Sequence, residues 1–386
     1  MALQRLAAMV MLFCAAAFAA GASAQPAPAI PSADEVPIAM LVDITSGQVL
    51  HARAPDRRFV PASVTKVMTM YHAFELIEEG TLDPAQVMTM RDEAWRAWHG
   101  EGSTMWVNAR DRVPVDDLLM GIANVSANDA AIMLAEGQAG SVAGWTAGMN
   151  LRARALGMTG SHFGTPNGWP DEGRTFTTAR DLVRLAEALV RRHPEKFARY
   201  IGLPGFRYNN IEQPNHDPLI GRTIGADGIK TGYTNEAGFN YLGTAQRGGQ
   251  RLVLVVAGVD SGSARARAAR AYIEWGFSAF ERRRLFAPGH VVGSARVQGG
   301  SLRNTDLQTD RAVYVNVPRG RSGEMHMRIE YDGPLRAPFA AGEAVATLVV
   351  EVPGMEPART PLLAARGSQE AGFFTRIFNG LAGWVT

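Results

Sequence analysis

The sequence predicts two folded parts. The first is an α/β domain of strands and helices; the second is a small all-β domain followed by a terminal amphipathic helix. Three observations carry that reading. Between residues 38 and 286, β-branched runs alternate with segments whose apolar residues recur at helical spacing. Beyond Pro288-Gly289 the period drops to two. From Phe373 onward, aromatic and aliphatic residues gather on one helical face. A length of 386 residues supports two domains, each able to bury a core. A formal charge of +2 without long single-sign runs gives no reason to expect nucleic acid as a partner.

Residues 1–24 read as a secretory signal. Arg5 supplies the positive region, residues 6–20 an apolar run too short for a membrane span, and Ala22-Ser23-Ala24 a cleavage site before Gln25. The only cysteine, Cys14, lies inside that run behind the bulky Phe13, which disfavours a lipoprotein. The processed chain then has no cysteine, which excludes disulfides, thiolate catalysis and Cys-ligated zinc and fits the bacterial periplasm. Residues 25–37, rich in Pro, Ala and Ser, form an extended lead-in.

Residues 38–42 read as a strand that enters a turn at Asp43–Gly47. Val64, Val67, Met68, Tyr71, Phe74 and Ile77 then mark a helix that stops at Gly80. This places Ser63 at a helix N-terminus and Lys66 on the same face one turn later. Residues 118–135 and 179–189 read as further helices, 251–259 as a buried strand, and 230–233 with 239–245 as a hairpin about Asn235-Glu236. Residues 266–282 read as a helix, with Arg282-Arg283-Arg284 as its solvated end.

The all-β part is expected over 287–366. Val313, Val315 and Val317 alternate with polar or small residues, as do Met325, Met327, Ile329 and Tyr331. Over 371–386, Phe373, Phe374, Ile377, Phe378, Leu381, Trp384 and Val385 share a face opposite Thr375, Arg376, Asn379 and Ala382. That pattern predicts an in-plane membrane helix; a helix docked on its own domain is the alternative.

The chemistry is concentrated in lysine. Of 39 Lys and Arg residues only Lys66, Lys196 and Lys230 are lysine. Two of these sit in short motifs, Ser63-Val64-Thr65-Lys66 and Lys230-Thr231-Gly232, with Ser126-Ala127-Asn128 between them. A guanidinium stays protonated, whereas a desolvated amine can lose its proton, so the exceptions point to acid–base chemistry. A serine hydroxyl needs a base before it attacks. Lys66 on the next turn would be that base, its pKa lowered by burial and by a second cation, for which Lys230 is the candidate. The unpaired N–H of Ser63 would be free for an oxyanion.

The order and spacing of the three motifs, with Asp227-Gly228-Ile229 before Lys230 and Val317-Pro318-Arg319-Gly320-Arg321 in the all-β part, is similar to one family. The chain resembles the serine-type D-alanyl-D-alanine carboxypeptidases, low-molecular-mass penicillin-binding proteins of the penicillin-binding protein 5 group. The resemblance implies a transpeptidase/β-lactamase-like α/β domain over 38–286, with an antiparallel sheet flanked by helices, a β-sandwich and a C-terminal membrane anchor. It implies catalytic roles for Ser63 as acylated nucleophile, Lys66 as base and Ser126 as proton relay to the leaving D-alanine. It also implies that Asn128 holds the substrate peptide, that Lys230, Thr231 and Arg265 bind the terminal carboxylate, and that Gly232 and Tyr233 line the site. Arg265 has a plain alternative as a surface arginine beside Arg267 and Arg270. Tyr233 departs from the histidine common after this motif; its N–H would complete the oxyanion hole with Ser63. Neither metal nor cofactor is implied. The expected partners are peptidoglycan stem peptides, β-lactams as covalent inhibitors, and the inner-membrane surface through the terminal helix. The expected location is the periplasm.

Other readings fit less well. A class A β-lactamase needs a glutamate with asparagine four residues on. Glu136, Glu172, Glu187, Glu195 and Glu212 have Gly140, Phe176, Arg191, Arg199 and His216 there. The eight histidines form no H-E-x-x-H, and Ile229 stands where a P-loop requires glycine. Endopeptidase or weak β-lactamase activity of the same site, and a non-catalytic peptidoglycan-binding scaffold, remain as alternatives; a scaffold would have no use for two motif lysines.

Overall fold

The structure is a computed structural model that describes residues 28–320 and 325–372; the expected signal segment and most of the expected terminal helix lie outside the described residues. The chain opens with a hairpin, β1 (Ile38–Asp43) and β2 (Gln48–Arg53). A single 3-10 turn, Ala62–Thr65, leads into α1 (Lys66–Glu78). There follow β3 (Val87–Thr89), α2 (Asp92–Trp98), β4 (Arg112–Pro114), α3 (Val115–Asn124), α4 (Asn128–Ala139) and α5 (Val142–Ala155). Next come α6 (Ala179–Arg192), α7 (Pro194–Tyr200), the short strands β5 (Gly205–Tyr208) and β6 (Ile211–Pro214), and the hairpin β7 (Ala226–Thr234), β8 (Gly238–Arg247). The strand β9 (Gln250–Val259) and helix α8 (Gly262–Ser278) complete the first domain.

Its five-stranded sheet has the order β2-β1-β9-β8-β7, and all neighbours are antiparallel. Both sheet faces are covered, which is why β9 reads as an unbroken apolar run. Side chains alternate between two cores. Met40, Val42, Val253 and Val255 pack with α1 and the other helices of one layer, whereas Ala39, Leu41, Leu252 and Leu254 pack with Tyr272 and Ile273 of α8. Burying each such leucine contributes about 1.5–3 kcal/mol. Strand β7 is left as an edge beside the start of α1, and this juxtaposition makes the site.

Residues 118–135 are not one helix. The chain breaks between α3 and α4 at Val125-Ser126-Ala127, where Ser126 has φ +62. A serine in the left-handed region cannot continue a helix, and the apolar periodicity on either side concealed the break. The helix expected at 266–282 begins earlier, because Ser261 caps it by accepting from the Ala264 N–H at 3.1 Å, and ends earlier, because the chain from Phe280 pairs as a strand with Pro318. The three arginines then lie on a strand, β10 (Phe280–Phe286), rather than at a helix end. Arg282 stacks over Tyr314 at 3.7 Å, and Arg283 pairs with Glu281 at 2.9 Å.

β10 pairs with β13, so the chain enters its second part at Phe280, before Pro288-Gly289. That part contains β11 (Val291–Gln298), β12 (Asn304–Gln308), β13 (Val313–Pro318), β14 (His326–Glu330), β15 (Leu335–Arg336), β16 (Ala344–Glu351) and β17 (Ala358–Ala364). A six-stranded sheet, β14-β16-β17-β12-β11-β15, and the β10-β13 pair share one core, with Val313, Val315 and Val317 against Leu307, Leu348 and Leu362. The alternation on β14 misleads at Met327, which is 47% exposed on an edge strand. The domain also runs past residue 366. Ala371 N–H donates to Gly299 O, Ser301 N–H donates to Gln369 O, both at 2.8 Å, and Ser368 is fully buried.

Candidate active site

The 3-10 turn holds Ser63 at the mouth of the cleft, and Lys66 starts α1 completely buried. Lys66 Nζ lies 2.9 Å from Ser63 Oγ, 2.7 Å from Asn128 Oδ1 and 2.8 Å from the Asn167 carbonyl. The amide orientation of Asn128 is fixed, because its Nδ2 donates to Glu101 O at 2.9 Å. Two of the three Lys66 contacts are therefore with acceptors that have no hydrogen to give. A neutral amine must spend both its hydrogens on them, and its lone pair then faces the Ser63 hydroxyl. Burial pushes the Lys66 pKa well below its ordinary value, and Lys230 lowers it further against the opposing charge of Asp129.

Lys230 projects from edge strand β7, buried, with Nζ donating to the Thr231 carbonyl at 3.1 Å. Burial, then the Arg265 guanidinium, lower its pKa to about 7, while Asp217 opposes them. Arg265, on the first turns of α8, lines the cleft with its Nε buried and without a hydrogen-bond partner among the described residues. Its guanidinium lies 5.6 Å from the Phe239 ring centre. Arg265 is thus no plain surface arginine.

Two glycines permit the close packing. A Cβ on Gly232 would meet Pro61 O at 2.5 Å and the Ser63 and Val64 nitrogens at 3.1 Å, so only glycine lets β7 lie against the nucleophile turn. Gly168, at φ +75, passes over the same turn; a Cβ there would lie 1.9 Å from Ala62 O. Its neighbour Asn167 is thereby held against Lys66.

The cleft has a volume of about 370 Å³, and its lining includes Ser63, Ser126, Asn128, Thr231, Gly232, Tyr233 and Arg265. The structure therefore brings all nine sequence-predicted residues to one place: seven at the surface, with Lys66 and Lys230 buried beneath it. Tyr233 is half exposed, stacked on Phe239 at 4.2 Å, with its hydroxyl donating to Asn235 Oδ1 at 2.7 Å. Sequence reasoning missed Asn167, Trp169, His216 and Phe239. Thr165-Pro166-Asn167-Gly168 carries turn chemistry that flags a loop, but nothing local says which helix the loop covers. His216 is held neutral near pKa 4 by burial and by Lys230, Arg265 and Lys66.

Residues 24–261 match the family model for D-alanyl-D-alanine carboxypeptidase, and residues 280–370 match that for the penicillin-binding protein 5 C-terminal domain. The chain belongs to the D-alanyl-D-alanine carboxypeptidase family. It is 32% identical over 377 residues to the D-alanyl-D-alanine carboxypeptidase DacC of Escherichia coli K12, covering 96% of this chain and 92% of that one. The structure is similar to penicillin-binding protein 5 from Haemophilus influenzae, with TM-score 0.76, 30% identity, 89% of this chain and 100% of the other. Penicillin-binding protein D2 from Listeria monocytogenes in its ampicillin-bound form matches at TM-score 0.57 and 27% identity, over 66% of this chain and 100% of that one. As a member of this carboxypeptidase family, the chain is a serine-type enzyme acting on the D-Ala-D-Ala ends of peptidoglycan peptides. Its second part is the β-rich domain of penicillin-binding protein 5.

Proposed function

We propose that the enzyme trims pentapeptide stems through an ester on Ser63, with each buried lysine given a separate task. Neutral Lys66 takes the Ser63 proton as Oγ attacks the carbonyl of the penultimate D-alanine. The negative charge on that oxygen is met by the N–H groups of Ser63 and Tyr233. When the C–N bond breaks, the proton on Lys66 passes through the Ser126 hydroxyl to the departing amine, and D-alanine leaves. Water then attacks the ester with Lys66 again as base, releasing the tetrapeptide and restoring Ser63. Charged Lys230 and Arg265, with the Thr231 hydroxyl, hold the terminal carboxylate. Asn128 has one Nδ2 hydrogen left for the substrate peptide, since its other contacts hold Lys66 and Glu101.

The observation that supports this reading most directly is the fully buried Lys66 amine, in contact with Ser63 Oγ and with two carbonyl-type acceptors. The same serine would be acylated by β-lactams, as the ampicillin-bound relative suggests. Peptide mapping after fluorescent penicillin, together with mass spectrometry of a treated pentapeptide, tests both statements. Label on Ser63 and loss of one alanine are expected. Label that persists in Ser63→Ala sinks the assignment, and an unlabelled, inactive wild type points to a scaffold.

We further infer that the processed protein works in the periplasm, held peripherally at the inner membrane by its terminal aromatic helix. The basis is compositional: an Ala-x-Ala signal at one end and an apolar face from Phe373 to Val385 at the other.

A further inference from the structure

Two tryptophans with no part in the acylation steps stand open to solvent beside the cleft: Trp169 is 38% and Trp106 39% exposed. Side chains of this size are ordinarily well covered. Trp106 is held out by its neighbours. Met105 and Val107 are buried, and the Asp129 carboxylate accepts from both their N–H groups, at 3.0 and 3.1 Å. The clamp leaves Trp106 between them pointing outward at φ +66. A bulky residue in the left-handed region costs on the order of 1–3 kcal/mol, and such strain gathers at functional sites. Asn209 Nδ2 secures the Trp106 carbonyl at 3.3 Å. His99 stands edge-on to the Trp106 ring at 6.0 Å, and Trp98 braces Trp169 edge-on at 5.4 Å. Asp129 directly follows Asn128, so the clamp and the partner of Lys66 are consecutive residues.

We propose that Trp106, with His99 beside it, is a docking platform for the glycan that carries the substrate peptide. Its ring face receives the C–H face of a β-1,4-linked, N-acetylated amino sugar while the stem enters the cleft past Trp169. The inference rests on the carboxypeptidase reading. The negative face of an aromatic ring attracts the positively polarised C–H bonds of a pyranose, and the indole N–H can meet a hydroxyl. Lengths agree with this occupant. In a pentapeptide stem four residues separate the sugar from the scissile bond, at most about 14 Å when extended. Ser103 lines the cleft and its carbonyl accepts from the Asn128 N–H at 2.7 Å. Trp106 follows three residues later, within about 11 Å along the chain. A sugar on a stem that passes Ser103 therefore has the length to reach the ring, which offers an aromatic face, while the nearby Asp111 carboxylate is tied to Asn209 Nδ2 at 3.4 Å.

The test titrates the full processed chain with a tetramer of β-1,4-linked N-acetylglucosamine, read by isothermal titration calorimetry, in wild type, Trp106→Ala and Trp106→Phe. In parallel, KM is compared for one pentapeptide presented free and linked to its amino-sugar disaccharide. Wild type should bind the tetramer, Trp106→Phe should retain most of that binding, and Trp106→Ala should lose it. The linked substrate should have a KM lower by about three- to tenfold, the range of one aromatic contact. That ratio should move towards one in Trp106→Ala. Equal tetramer binding by wild type and Trp106→Ala, or a ratio of one in wild type, overturns the proposal. Failure of wild type to cleave the free pentapeptide would instead sink the carboxypeptidase reading; the tetramer titration requires no turnover and still decides the platform.

Discussion

Lys66 Nζ donates to Asn128 Oδ1 at 2.7 Å, which joins the first and second motifs at their reactive ends. Asn128 is thus a proton-state device as well as a wall of the cleft: a neutral acceptor there steadies the amine while favouring its charged form far less than a carboxylate would. An aspartate would favour it strongly. Asn128→Asp should move the rising limb of the acylation rate to higher pH by about 1–3 units, the usual effect of an opposite charge at this range. Stopped-flow acylation by a reporter penicillin across pH measures it. An unmoved limb would show that Lys66 does not carry the rate-controlling proton.

Lys66→Arg keeps positive charge on α1 but removes the group that can become neutral. Acylation should fall by about 10²- to 10⁴-fold, the span of a general base. An arginine variant within about threefold of wild type would remove Lys66 from that role.

Lys230 predicts the falling limb. It must be charged to hold a carboxylate, and its pKa of about 7 means that charge is lost as pH rises through that value. In the free enzyme kcat/KM should therefore decline above about pH 7. A bound carboxylate favours the charged lysine, so the limb in kcat should lie higher. Lys230→Arg should abolish the decline, because the guanidinium stays protonated. A decline that persists unchanged in the arginine variant would belong to another group.

The sequence showed more of the chemistry than of its scaffolding. Ser63, Lys66, Lys230 and the edge-strand hairpin were legible because helical spacing and a lysine-poor composition are local facts. The break at Ser126 was not, since Ile122 and Ile132 keep the apolar pattern on both sides of it. Asn167 was illegible for another reason. Its contribution is a backbone carbonyl, which every residue owns, and only the passage of Gly168 across the nucleophile turn brings it to Lys66. Arg282-Arg283-Arg284 misled because charge marks solvent contact without distinguishing helix from edge strand.

Asn316 falls on the polar side of the alternating strand β13, yet it is fully buried and locks the two domains. Its Nδ2 donates to Asp43 Oδ2 at 2.7 Å and lies within hydrogen-bond reach of Ser46 Oγ, and its Oδ1 accepts from Gln250 at 3.2 Å. Asn316→Leu strands these partners in the interface, at about 1–3 kcal/mol. Thermal unfolding should show a midpoint lower by several degrees, roughly 2–4 °C for each kcal/mol. Penicillin acylation should stay within about twofold, because Asn316 is absent from the cleft. Unchanged stability would mean that water replaces the amide without loss.

The domain's closing residues dictate where an anchor can be cut. The alternating pattern of the sequence stops near Arg366, yet Ser368 is fully buried, and Gly300 and Glu370 form an antiparallel bridge. A cut after Arg366 removes that closure and should lower stability. A cut after Gly372 spares it and removes only the aromatic segment. The chain ending at Gly372 should stay in the supernatant and cleave small D-Ala-D-Ala peptides, while the full processed chain sediments with membranes. Arg376 is the only cation of the segment, so binding should follow buried apolar area and respond weakly to salt. Sedimentation of the chain ending at Gly372 would place the anchor elsewhere. Loss of its activity on soluble peptides, with the β-domain intact, would make the aromatic segment part of the fold.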